Sequence, residues 1–350
     1  MQHLLVANMT VGFSLTEHLV TASMTISSCL MFLFVNGVML FTLRSKRVFR
    51  ETSRYILLFH LLLGDTLQLA FSLLLYLLSA SLITLTYPMC GVLVMFANLV
   101  SRVSALVLVV MSLERYVAVC HPLRHSSITT VRNTMVAVLA VWLFCFVNVL
   151  IQGLLLIKFP FDQLESLEMT QMCTFHAILL VPVLERYYDV YTYFVFILAG
   201  LSIIFSYLGV IIVARSAATD KDSTRKARNT LLLHLVQLGL SLLSVPFAII
   251  LTKFSTLLNR LVFSRVRSSL FVCFYLLPRS LSGLVYGLRD QNLRVVFVYH
   301  FCCHLKVLAI PVNIVIEPQE PLSVVLPTRG KHSNSIRCHA LNTKKHSCAQ

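Results

Sequence analysis

Long apolar runs alternate with short polar gaps through most of this chain. Seven runs reach the length of about 20 residues that a helix needs to cross the hydrocarbon core of a bilayer. They cover residues 23–43, 55–80, 91–114, 134–157, 190–214, 229–252 and 268–288. Each is continuous rather than alternating, so membrane helices are expected and not the strands of a barrel. The pattern predicts an all-α membrane protein, a seven-transmembrane helix bundle over 23–288 behind a short N-terminal segment, 1–22. A short amphipathic stretch follows at 289–303, with Leu293, Val296 and Phe297 as its apolar residues. From 304 to 350 the composition changes: Pro311, Pro318, Pro321 and Pro327 lead into polar, Ser- and Lys-rich text, expected to be a disordered tail. No soluble domain interrupts the series. No repeat relates its halves, which weighs against a transporter.

Composition agrees with that pattern. The chain of 350 residues is 57% hydrophobic and 12% charged, where a soluble domain carries about 25% charged residues. The net charge of +15 would suggest nucleic acid in a soluble protein. Here the basic residues fill the gaps between apolar runs, where they meet anionic headgroups and set orientation. The aromatic-basic interleaving that binds single strands is missing, so no nucleic acid partner is expected. Residues 1–20 lack the basic start, apolar core and small-residue site of a cleavable signal peptide, which leaves the first span as the expected insertion signal.

Lys and Arg in short loops fix the expected topology. The gaps 44–54, 115–132 and 215–228 hold five, three and five of them, against none in 1–22 and 81–90 and two in 158–189. The gap 253–267 breaks the trend with Lys253, Arg260, Arg265 and Arg267. The majority puts the N-terminus outside and the C-terminus inside the plasma membrane. The sequon at Asn8 falls in the outside N-terminus, as that topology requires.

Cys90 opens the third span and Arg115 closes it. Twenty-five residues of helix cover about 38 Å, so the two sit on opposite sides of the membrane. Cys90 is then outside, where disulfides form, and Cys173 is the cysteine of the second outside gap. A Cys90–Cys173 bridge would pin that loop onto span three; two unrelated thiols are the other reading.

Several motifs now fall into place. Asn36 stands in VNGV of span one and Asp65 in LLLGDT of span two. Glu114-Arg115-Tyr116 ends span three, Trp142 lies in span four, and Tyr207 and Tyr286 lie in the inner parts of spans five and seven. This layout resembles a class A (rhodopsin-like) G-protein-coupled receptor over residues 20 to about 302. Longer strings narrow the resemblance to odorant receptors: MSLERYVAVCHPLRH at 111–125, Ser206-Tyr207, RKARNTLLLHL at 225–235 with Lys226-Ala227 and His234, and LSGLVYGLRD at 281–290. Glu114 in place of aspartate, and Leu277-Pro278-Arg279, look most like the odorant receptors of fish. Some positions depart from the wider class: Ser282-Gly283 replaces Asn-Pro before Tyr286, Pro246 stands in LLSVP without the aromatic switch, and Ala199 replaces a proline. Without a proline at position 283 a kink there loses its usual source, and Gly283 is the substitute on offer.

The resemblance implies a receptor that binds a small-molecule odorant among spans three, five, six and seven and activates a heterotrimeric G protein of the stimulatory, olfactory type, raising cyclic AMP. It implies that Glu114 holds Arg115 at rest, that Arg115 is released toward the G protein when span six swings out, and that Tyr207 and Tyr286 close behind it. It implies that the amphipathic stretch lies along the inner membrane, where Cys302 and Cys303 are either palmitoylated or free thiols. No cofactor or metal is implied. His121, His125 and His176 lack metal-ligand spacing, as do Cys338 and Cys348.

Asp65, Arg102 and Arg279 are charged residues deep inside the spans. Such groups are costly in a membrane and mark function by default. Asp65 stands where the class binds sodium; Arg279, two turns outward of Tyr286, would pair with it and replace the ion, or else only pack, and Ser104 is the nearest polar residue of span three. Arg102 lies near the midplane, with Asn98 one turn away and Ser101 adjacent. It would hold an anionic ligand by charge-assisted bonds, or else serve as a structural partner of carbonyls and water. By position alone Tyr191, Thr192, Val272 and Tyr275 are further pocket candidates. The alternatives to an odorant receptor are a class A receptor for a lipid, steroid or small hormone, a transporter or channel, and a non-signalling relic. An enzyme is not expected, for want of a nucleophile–base–acid set.

Overall fold

The computed structural model describes residues 15–81, 83, 85–157, 168, 169, 173, 176–178, 182–217, 239, 240, 242–244, 246, 249, 250, 270, 277, 279, 285, 287, 288 and 290–309. By its contacts the chain divides into units Met1–Val307 and Leu308–Gln350, and everything below belongs to the first except the last two residues of the final helix.

Eight α-helices are described in full. They are α1 (Leu15–Ser45), α2 (Arg47–Arg50), α3 (Ser53–Ala80), α4 (Tyr87–Cys120), α5 (Pro122–Ile128), α6 (Val131–Ile157), α7 (Pro182–Ala217) and α8 (Gln291–Ala309), with a single 3₁₀ turn at His176–Ile178. Among the described residues, α1, α3, α4, α6 and α7 are long and apolar enough to cross a membrane, and they correspond to spans one to five. Spans six and seven contribute only scattered described residues. α7 starts at Pro182, eight residues before its apolar run, and carries Glu185, Arg186 and Asp189 in that added stretch.

α6 shows how polar and apolar positions are sorted when lipid replaces water. Val136, Leu139, Leu143, Val147, Leu150 and Leu154 are exposed, at the three- and four-residue spacing of one helix face. The opposite face buries Thr134, Val138, Cys145, Asn148, Gln152 and Leu156. The polar side chains therefore point into the protein and the apolar ones outward, since a polar group facing lipid would lose its hydrogen bonds.

α4 is the central helix, packed against α3, α6 and α7. Its Val103, Val107 and Met111 join Leu57, Leu61 and Leu62 of α3 and Met39 of α1 in the main core. The α3–α4 crossing is close. A Cβ added to Gly64 would collide with Ser104 Oγ, so glycine is what lets the two backbones approach. α4 opens with Pro88 in its first turn, where the missing N–H costs nothing.

Two ties fix the ends of the bundle. At one end a Cys90–Cys173 disulfide, with Cα atoms 5.6 Å apart, holds the loop between α6 and α7 against the start of α4. Beside it Met169 N–H donates to Leu85 C=O, and Thr86 bridges to Glu168. At the other end Asp290 caps α8. Its Oδ1 accepts the backbone N–H groups of Asn292 and Leu293, both at 3.1 Å, as an N-cap carboxylate does. Its Oδ2 accepts the Tyr55 hydroxyl at 3.0 Å and lies 3.2 Å from Arg54 Nη1. α8 is thereby anchored to the start of α3. Its Leu293 and Phe297 are buried in the main core, and Phe301 packs on Phe34 of α1.

Candidate functional site

Three groups of polar side chains interrupt the apolar interior. The first surrounds Arg102. Arg102 is 4% exposed, and its Nη2 donates to Thr192 Oγ1 at 2.5 Å. The Thr192 hydroxyl in turn donates to the Tyr188 carbonyl at 2.7 Å, which fixes its lone pair toward the guanidinium. The guanidinium carbon lies 5.3 Å from the Tyr188 ring centre and 5.7 Å from that of Tyr191. Each such cation–π contact contributes about 2 kcal/mol when desolvated. Among the described residues no carboxylate pairs with Arg102, and its Nη1 has no acceptor. Asn98 Nδ2, one turn away on the same face of α4, and the Tyr191 hydroxyl are likewise buried without partners.

A relay of amides and phenols lies beside it. Gln152 Nε2 donates to Asn148 Oδ1 at 2.8 Å, and Asn148 Nδ2 donates to the Tyr187 oxygen at 2.8 Å. Tyr187 stacks on Tyr191 with ring centres 6.3 Å apart. Asn148, Gln152, Tyr187 and Tyr188 were not singled out from the sequence. The signal for the first two was present: amides four residues apart in the middle of an apolar span.

The second group is centred on Arg279 of span seven. Its Nη1 lies 3.2 Å from Asp65 Oδ1, and both side chains are buried. Nη2 donates to Ser101 Oγ at 3.0 Å and to Ser244 Oγ at 3.3 Å. One side chain of span seven therefore touches spans two, three and six. Ser101 and Arg102 are consecutive, so neighbouring residues of α4 serve the two groups. Ser104 Oγ is buried without a partner and packs on Gly64 instead.

The third group is at the C-terminal end of α4. Arg115 Nε lies 3.7 Å from Glu114 Oε2. The other carboxylate oxygen of Glu114 lies 3.5 Å from His125 Nε2 of α5. The Tyr116 ring meets that of His121 edge-on and packs on Gly209 of α7, where an added Cβ would collide with it. Tyr207, two residues before Gly209, is buried in the main core.

The other residues singled out from the sequence fall as follows. Cys302 is half-buried on α8 and outside any disulfide, and Cys303 follows it in the helix. Asn8, Val272, Tyr275, Tyr286 and Ser282-Gly283 lie outside the described residues, as do residues 310–350. Among the described residues, no three His, Cys, Asp or Glu side chains gather as metal ligands.

Comparison with known proteins gives this arrangement its setting. Residues 35–283 match the model of the 7 transmembrane receptor (rhodopsin family). Odorant receptor 131-2 of Danio rerio is 31% identical over 288 residues, covering 79% of this chain and 84% of its own. Two human proteins are more distant. Olfactory receptor 52A1 is 27% identical over 62% of this chain and 69% of its own length, and olfactory receptor 4Q2 is 26% identical over 60% and 65%. The apolar helices are thus those of a multi-pass membrane protein, a receptor rather than an enzyme, built as a seven-transmembrane bundle with α8 after the last span. The chain belongs to the rhodopsin family of seven-transmembrane receptors and, within it, to the odorant receptors.

Proposed function

We propose that this receptor binds an anionic odorant at Arg102, within the helix bundle, and answers by activating a stimulatory, olfactory-type heterotrimeric G protein that raises cyclic AMP. The observation that carries the reading is the state of the arginine. A cation at the middle of a membrane bundle is costly, yet this one has a hydroxyl and two aromatic rings for company and an Nη1 that no described residue accepts from. Asn98 Nδ2 is a second unpaired donor on the same face, and the Tyr191 hydroxyl a third polar group beside them. A carboxylate or sulfate would satisfy such donors through charge-assisted bonds. Ser101 and Thr192 hold the neighbouring positions, and Val272 and Tyr275 are assigned to the same pocket from their place in span seven.

The signal then has a short path. Ser101 receives Arg279, and Arg279 also reaches Ser244 of span six. An anion that shifts α4 at Arg102 would bias the arrangement of span six, a two-state element of the kind allostery needs. At the inner end Glu114 holds Arg115 at rest; opening releases Arg115 toward the G protein, with Tyr207 and Tyr286 closing behind. The Asp65–Arg279 pair takes the place of a bound sodium ion. The N-terminus is outside, with Asn8 glycosylated, and Cys302 and Cys303 carry palmitate on the inner leaflet.

The test is a cyclic AMP reporter in cells carrying the receptor and an olfactory-type G protein, with surface population measured in parallel. Panels of anionic and neutral odorants are run on the wild type, Arg102→Ala and Arg115→Ala. The expected result is a response to anions that both variants abolish while surface levels hold. Responses to neutral compounds alone, untouched by Arg102→Ala, would remove the anion reading.

A further inference from the structure

The amide relay on span four has no part in the site as drawn so far, yet it adjoins it. Gly153 faces Met95 and Gly91 faces Leu156 across the antiparallel pair α4 and α6. In that register Asn98 lies opposite the turn that carries Asn148 and Gln152. Arg102 is seven residues inward of Met95, roughly 10 Å along the helix axis. Tyr187 and Tyr191, stacked on one another, bridge the two levels on α7. A chain of side-chain contacts therefore runs from Arg102 across the Tyr191 and Tyr187 rings to Asn148 and Gln152.

The far end of that chain of contacts is unsatisfied. Gln152 is 1% exposed, and its Oε1 has no hydrogen-bond partner. A buried amide oxygen left in that condition carries its desolvation cost without a compensating hydrogen bond. The relay is also reversible in sense. As it stands, Gln152 donates to Asn148, Asn148 donates to Tyr187, and an acceptor is left over at Gln152. Turning both amides over lets Tyr187 donate to Asn148 and Asn148 to Gln152, which leaves a donor there instead. Gln152 can thus meet either a hydrogen-bond donor or an acceptor, without carrying charge.

We infer that the ligand site extends to span four and that the preferred ligand has two polar ends: an anionic group for Arg102 and a neutral hydroxyl or amide for Gln152. This rests on the anion reading of Arg102. It assigns Gln152 as a specificity-determining residue, with Asn148 and Tyr187 holding it in place. A plain organic acid of the same length spans these contacts but leaves Gln152 unpaired. Sites built around buried polar groups reject ligands that fail to pair with them.

The experiment uses the full-length receptor in nanodiscs, with thermal stabilisation as the binding readout, so that signalling is not required. The probes are hexanoate, octanoate and decanoate, each beside its ω-hydroxy and ω-carboxamide counterpart. In the wild type, the best-fitting bifunctional acid should bind at least about tenfold more tightly than the plain acid of equal length, equivalent to about 1.4 kcal/mol. Gln152→Leu should erase that preference and leave the plain acids within about twofold of their wild-type affinity, a change well under 1 kcal/mol. Should Gln152→Leu fail to fold, Gln152→Met tests the same loss, and Tyr187→Phe keeps the stacked ring while removing the hydroxyl that orients the relay. Equal affinities for plain and bifunctional acids in the wild type would overturn the inference. So would a Gln152 variant that weakens both kinds of acid alike, the mark of a purely structural relay. Arg102→Met separates the underlying reading: if it leaves every acid unaffected, the anion assignment fails, whatever Gln152 does.

Discussion

Removing one partner of the Asp65–Arg279 pair should cost far more than removing both. The two side chains are 5% and 3% exposed, with 3.2 Å between Oδ1 and Nη1. At that depth a lone charge has no water to turn to, and breaking a buried pair from one side costs about 3–5 kcal/mol. Replacing the whole pair by apolar side chains of similar volume is commonly near neutral, because the desolvation of both ions is recovered. Asp65→Leu and Arg279→Met should each lower the unfolding midpoint of the purified receptor in nanodiscs markedly. If the sites were independent, the double variant would lose roughly 6–10 kcal/mol, the sum of two such terms. The expected result is a double variant no less stable than either single one. The wild type should melt at the same temperature in sodium and N-methylglucamine chloride of equal ionic strength, because the guanidinium already neutralises Asp65. Arg279→Met should become sodium-dependent. Additive losses in the double variant, or a sodium-dependent wild type, would refute the reasoning.

Other ties make separate predictions. Cys90→Ala and Cys173→Ala each open a closure across 83 residues, which a chain-entropy treatment sets at about 4.5 kcal/mol. Both should lose surface expression to the same degree, and the double variant no further. Asp290→Ala removes the cap of α8 and its hold on Tyr55 and Arg54; amide exchange over Gln291–Phe297 should quicken by about tenfold, for a cap of about 1–2 kcal/mol. Glu114→Gln frees Arg115 and leaves His125 without its carboxylate partner, so basal cyclic AMP should rise at matched surface levels; an unchanged baseline would count against Glu114 as the resting restraint.

Much of the bundle could be read from the chain because lipid demands continuous apolar runs and little else does. The ends could not. α7 begins eight residues early, at Pro182, since Glu185, Arg186 and Asp189 break the apolar run without breaking the helix. The site was legible to the extent that single charged residues stand out in apolar text. Arg102, Asp65 and Arg279 were conspicuous, and the sequence left two readings open for each arginine. Their further partners were not conspicuous. Whether Tyr188 or Tyr187 faces Arg102 depends on the rotation of α7 about its axis, which a uniformly apolar helix does not encode. Ser244 meets Arg279 across a distance of 35 residues in the chain, with nothing in spacing to announce it. Asn148 and Gln152 were legible in principle. Two amides in an apolar span must face the interior, but which neighbours they meet there depends on the α4–α6 register, in which Gly91 faces Leu156 and Gly153 faces Met95.

The central claim is that Arg102 recognises the negative charge of the ligand. The most direct measurement takes an activating carboxylic acid and its primary amide, nearly identical in shape, and compares their potencies on the wild type and Arg102→Met at matched surface expression. Truncating one partner of a buried, hydrogen-bonded charge pair costs about 2–5 kcal/mol. The acid should therefore lose about 30-fold or more in potency on Arg102→Met, while the amide, already weak on the wild type, changes little. Equal losses for acid and amide, or an amide as potent as the acid on the wild type, would contradict a charge-recognising Arg102.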